Sequence, residues 1–177
     1  MKPVLMTAAL AAILCTTSAH ADTFQGSVPL PAHYAGNMPS NALQVISTQP
    51  YIALDWSGYT APAGQSLYAR LCMSYTDSGS LSANEGIWVA IIPYLYTGSN
   101  AHYWLFNTTG SSSTVSKQAC SNYSDSGAVV NGWIPTSALS CQSSPLNASC
   151  TLKAYANASA ATLPVTINSV WLEVVSR

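Results

Sequence analysis

The side chains of this sequence that could carry acid–base or nucleophilic chemistry are few and scattered. Beyond position 21 there are two histidines, His33 and His102, and six carboxylates: Asp22, Asp55, Asp77, Glu85, Asp125 and Glu173. A Ser-His-Asp site could draw on either histidine, because such triads are set by geometry and not by spacing. Yet no G-x-S-x-G elbow is present, and His33 lies in a proline-rich stretch. Glycoside hydrolysis needs two facing carboxyl groups, and nothing in the spacing pairs these. The expectation is a protein that is not an enzyme and needs no cofactor.

Metal chemistry fares no better. Asp77 and Asp125 each open an Asp-Ser-Gly segment, but a calcium ion wants six to eight oxygens, usually with several carboxylates among them. A turn explains these segments better: Asp accepts from the backbone two residues on, and Gly takes the positive φ. No Cys/His spacing fits zinc. With Cys15 set aside in the leader, the cysteines form an even set, Cys72, Cys120, Cys141 and Cys150. In an exported chain that reads as two disulfides, with three connectivities open. The short polar segment Gln142–Ser149 suits a local Cys141–Cys150 staple, which leaves Cys72 for Cys120.

Aromatic residues are the strongest functional lead. Five Trp and ten Tyr accompany only five Lys or Arg and six Asp or Glu. Trp and Tyr stack on the apolar faces of sugar rings, and Asn, Ser, Thr and Gln bond the hydroxyls, all without charge. Tyr94 and Tyr96, with Asn100, Tyr103 and Trp104 after the Gly98-Ser99-Asn100 loop, form the candidate ligand platform. Against this, Trp56, Trp88, Trp104, Trp133 and Trp171 each sit in a β run and could equally fill a core.

Charged residues make up 6% of the chain, against an average near 25%. No basic stripe exists to neutralise phosphates, which excludes nucleic acid. Coiled coils and long surface helices lack their Lys and Glu. The expected partner is a glycan or cell-surface polymer contacted by an exported binding module or adhesin. Self-association into a filament or coat is the alternative, and a hydrolase inhibitor presenting the Cys141–Cys150 loop is a fainter one. Four N-x-[ST] sequons, at Asn107, Asn122, Asn147 and Asn157, carry little weight in so Ser- and Thr-rich a chain.

The elements that would position these residues follow from pattern. Residues 1–21 read as a removable signal segment: Lys2, an apolar run from Val4 to Cys15, and Ala19-His20-Ala21 at the cleavage site. The run is too short to span a bilayer, and Leu14 before Cys15 argues against lipid attachment. Secretion or periplasmic export follows. Residues 22–50 hold Pro29, Pro31, Pro39 and Pro50 and read as an arm with at most a short strand at Ala42–Ser47.

Residues 51–177 read as one all-β domain, a single antiparallel β-sandwich (jelly-roll or Ig-like) stapled by two disulfides. Strands are expected at Tyr51–Trp56, Leu67–Tyr75, Ile87–Tyr96 (bending or ending at Pro93), Tyr103–Phe106, Thr151–Ala156 and Leu163–Val175. In the last, the apolar phase of Val165 and Ile167 slips by one residue before Val170, Leu172 and Val174, which calls for a bulge near Asn168-Ser169. Cys72-x-x-Tyr75 and Cys120-x-x-Tyr123 recur 48 residues apart, as do Trp56 and Trp104, so an internal duplication is also expected.

Overall fold

A computed structural model describes residues 21–77, 86–93, 101–107, 115–124, 131–139, 141 and 150–177. Two antiparallel sheets face each other around one apolar core. Alternating sequences build them. In the strand Leu67–Asp77, Ala69, Leu71, Met73 and Tyr75 are buried, while Tyr68, Arg70 and Ser74 point outward and remain partly exposed.

The strands in chain order are β1 (Thr23–Leu30), β2 (Tyr34–Pro39), β3 (Gln44–Val45), β4 (Leu67–Asp77), β5 (Gly86–Pro93), β6 (His102–Asn107), β7 (Val115–Cys120), β8 (Tyr123–Ser124), β9 (Ile134–Pro135), β10 (Cys150–Asn157) and β11 (Thr162–Ser176). The six-stranded sheet runs β1-β11-β4-β7, with β2 also on β11 and β9 also on β4. The five-stranded sheet runs β3-β10-β5-β6-β8. β11 slips register against β4 between Ile167 and Ser169, so Asn168 is the bulged residue. Leu163, Val165 and Ile167 are buried before the slip and Val170, Leu172 and Val174 after it, as the change of phase requires. β5 ends at Pro93.

The N-terminal segment departs from expectation. Instead of one short strand it supplies three, in both sheets. β1 and β2 run antiparallel to β11, pairing with its two halves in turn, like one strand interrupted at Pro31–His33. At that break the chain crosses to the other sheet. Ala32 bridges Ser47, the His33 N–H donates to Ile46 O (2.9 Å), and the Thr48 N–H donates to Pro31 O (2.7 Å). Ile46 N–H in turn donates to Leu152 O (3.0 Å) on β10. Prolines obscured these strands in the sequence, yet an edge strand tolerates them because its outward N–H groups need no partner. Tyr51–Trp56, expected as a strand, contributes only an isolated bridge, Ile52 to Cys150.

Two disulfides brace the fold, the first of them between neighbouring strands of the six-stranded sheet. Cys72 and Cys120 face each other in register on β4 and β7 and form a disulfide, Cα to Cα 3.9 Å. Cys141 pairs with Cys150, Cα to Cα 5.4 Å. The 48-residue sequence echo does not extend to structure. Tyr75 is buried mid-strand whereas Tyr123 is 55% exposed, and Trp56 lies in a loop whereas Trp104 sits in β6. No helix among the described residues is long and apolar enough to cross a membrane.

Candidate functional site

The five-stranded sheet turns Ile87, Val89 and Ile91 of β5 inward, together with Trp104 and Phe106 of β6 and Leu152, Ala154 and Ala156 of β10. Strict alternation then sends the residues between them to the other face, where Trp88, Tyr103, Leu105, Lys153 and Tyr155 are half-buried and Ala90 and Ile92 are buried. Strand register lines these up in two adjacent rows across the sheet. One row is Tyr155, Trp88, Leu105 and Tyr123, on β10, β5, β6 and β8. The next is Val45, Lys153, Ala90 and Tyr103, on β3, β10, β5 and β6. Neighbouring strands are about 4.8 Å apart, so the first row spans roughly 14 Å.

Two rings of the first row stack and a third stands edge-on to them. Trp88 and Tyr155 have centroids 6.3 Å apart and planes only 11° from parallel. Tyr123 stands 5.8 Å from Trp88 with planes at 76°. At 55% and 58% exposure, Tyr123 and Val45 are among the most open large apolar side chains described. Beyond Tyr123 a cleft of about 210 Å³ opens between Leu105, Ala119, Asn122 and Tyr123.

Tyr123 is held from beneath. Trp104 is fully buried and its indole N–H donates to Gly132 O at 2.9 Å. Gly132 has φ +80°, and a Cβ there would lie 2.2 Å from Ser121 O, so only glycine lets these backbones meet. Ser121 is buried. Its hydroxyl shares its proton between Leu105 O (2.6 Å) and Tyr123 O (2.7 Å) and accepts the Tyr123 N–H (3.2 Å). Its own N–H donates across to Leu71 O of the other sheet (2.9 Å). This turn fixes where Tyr123 points.

The structure divides the candidate platform. Tyr103 points outward in the second row, half-buried. Trp104 does not belong to a ligand surface: it alternates with Tyr103 into the core, leaving no ring face open, and acts as the support just described. Tyr94, Tyr96 and Asn100 lie outside the described residues. So do Glu85, Asp125, the side chain of Asp77 and the loop Gln142–Ser149. Trp88, Tyr155 and Tyr123 were missed as a site. Their signal was aromatic residues in the phase opposite to the buried one: Trp88 between Ile87 and Val89, and Tyr155 between two alanines.

The other outward face is arranged differently. Arg70 stacks over Trp133, 4.5 Å from its ring centroid, while its Nε and Nη2 donate to Glu173 Oε2 at 2.9 and 2.8 Å. Arg177 lies 5.5 Å from the Tyr68 centroid and pairs with Asp22 at 3.2 Å. Glu173 also lies beside Cys72 and Cys120, but both sulfurs are spent in the disulfide, which leaves no thiolate to ligate a metal. His33 is exposed, and His102 Nε2 donates to Ala138 O at 3.1 Å. Asp55 accepts the Ser57 N–H at 2.9 Å, and that bond, with one from the Ser57 side chain, holds its carboxyl below the usual range.

No protein-family model, curated protein or solved structure matches the chain. Its functional reading therefore rests on its own residues.

Proposed function

We propose that the chain is an exported, non-enzymatic binding module or adhesin that holds a glycan against the outer face of its five-stranded sheet. The observation that carries this reading is the row Tyr155–Trp88–Leu105–Tyr123, in which Trp88 and Tyr155 stack and Tyr123 stands edge-on to Trp88. Among the described residues the cations lie over Trp133, Tyr75 and Tyr68 and not over Trp88 or Tyr123, and aromatic rings offer stacking faces to the apolar sides of sugar rings. Tyr103 extends the surface in the neighbouring row. Two disulfides agree with an oxidising compartment outside the cytosol. Because the contacts are mostly uncharged, the ligand is largely neutral.

Self-association through the N-terminal segment has less to recommend it, since that segment pairs with the chain's own β10 and β11. The test is a glycan array probed with residues 22–177, alongside sizing of the same material. Binding to a defined set of oligosaccharides by a discrete species, reduced by Tyr155→Ala, is the expected result. A void-volume assembly that binds no sugar would overturn the reading.

A further inference from the structure

Four basic side chains follow position 21, and the structure gives three of them internal work. Arg70 holds Glu173 and covers Trp133, Arg177 holds Asp22 and covers Tyr68, and Lys117 lies over the Tyr75 ring at 5.8 Å. Lys153 has no ion pair, hydrogen bond or ring contact from its side chain among the described residues. It stands on the aromatic face itself, in register with Ala90 and Tyr103, two residues along β10 from Tyr155. A half-buried lysine stem beside a ring, with its ammonium left unmatched, suits an anionic group on whatever lies there.

We infer that the glycan held on this face carries a carboxylate on the sugar that rests beside Lys153: a uronic acid within an otherwise uncharged chain. This rests on the binding reading above and changes one term of it, since the ligand is then neutral along the Trp88 row and singly anionic at Lys153. One cation matches one carboxylate. A densely sulfated polymer would bring many charges to a face with a single ammonium, on a chain that beyond position 21 has three other basic side chains against six acidic ones. The same arithmetic argues against an anionic lipid surface, which attracts clusters of Lys and Arg.

The experiment measures binding of wild type, Lys153→Gln, Lys153→Arg and Trp88→Ala to an array of neutral and uronate-containing oligosaccharides. Each uronate ligand that binds is also tested after its carboxyl is reduced to the alcohol. The expected result is that the tightest ligands contain a uronic acid and that carboxyl reduction weakens them about tenfold. Lys153→Gln should weaken the acid form by the same factor and leave the reduced form unchanged, while Lys153→Arg stays within about threefold of wild type. A tightest ligand that is neutral and insensitive to Lys153→Gln would overturn this inference yet leave the binding reading intact if Trp88→Ala abolishes it. Sugar binding insensitive to Trp88→Ala would instead sink the binding reading itself. Capture by phosphatidylglycerol vesicles with no glycan bound would overturn both.

Discussion

Trp133 and Tyr68, on the six-stranded sheet, each lie under an arginine, and each arginine is in turn held by a carboxylate. Trp88, on the five-stranded sheet, instead stacks with Tyr155 and meets Tyr123 edge-on. Both faces project aromatic rings from β-strands, so the rings alone do not distinguish structure from function. What differs is the use of charge. In a chain with so little of it, four of the ionisable groups are spent closing one face, and the single unpartnered lysine among the described residues is placed on the other.

That contrast can be attacked at several points. The largest expected effect is on the support beneath the open face. Trp104→Ala removes a fully buried ring and its bond to Gly132, and should cost about 3–5 kcal/mol of folding stability in a denaturant titration. A cost below about 1 kcal/mol would mean that Trp104 is not the support described. Next is the closed face. Arg70→Ala uncovers Trp133 and leaves Glu173 without its partner, for an expected loss of about 1–2 kcal/mol. Sugar binding should be untouched, and a marked drop in binding would show that the two faces are not independent.

The smallest effect belongs to a site on neither face. The carboxyl of Asp55 is held below its ordinary range by the Ser57 N–H and then the Ser57 side chain. Its stabilising contribution is therefore present above the ordinary carboxylate value and lost as the pH falls through the lowered one. Ser57→Ala keeps the backbone bond and removes the side-chain one, so an NMR pH titration should show the Asp55 midpoint rise only part of the way back. An unchanged midpoint would remove the side chain from the account.

Much of the fold was legible because alternation is local. Leu67–Tyr75 declared its buried face residue by residue, and the slipped phase between Ile167 and Val170 announced the Asn168 bulge. The even cysteine count and the short Gln142–Ser149 segment were enough to reach both disulfides. β1 and β2 were hidden because proline normally forbids a strand, and only the topology shows that they are edges. β7 was hidden because Ser116, Lys117 and Gln118 look like loop. The aromatic row was the least legible feature. Trp88, Leu105, Tyr123 and Tyr155 span 67 positions of sequence and meet only through the order β10-β5-β6-β8, which no local pattern encodes. Trp104 was misplaced for a simpler reason: it and Tyr103 are adjacent, and adjacent residues in a strand face opposite ways.

Two half-buried tryptophans, one on each outer face, test whether only the five-stranded sheet receives a ligand. Trp88 lies in the open row, and Trp171 faces outward on β11 of the opposite sheet, in register with Cys72. Titrating the tightest oligosaccharide from the array into Trp88→Ala and Trp171→Ala compares the faces directly. Trp88→Ala should lose at least tenfold in affinity, about 1.4 kcal/mol, and Trp171→Ala should bind as wild type does. Equal affinities for the two variants, or a loss confined to Trp171→Ala, would contradict that expectation.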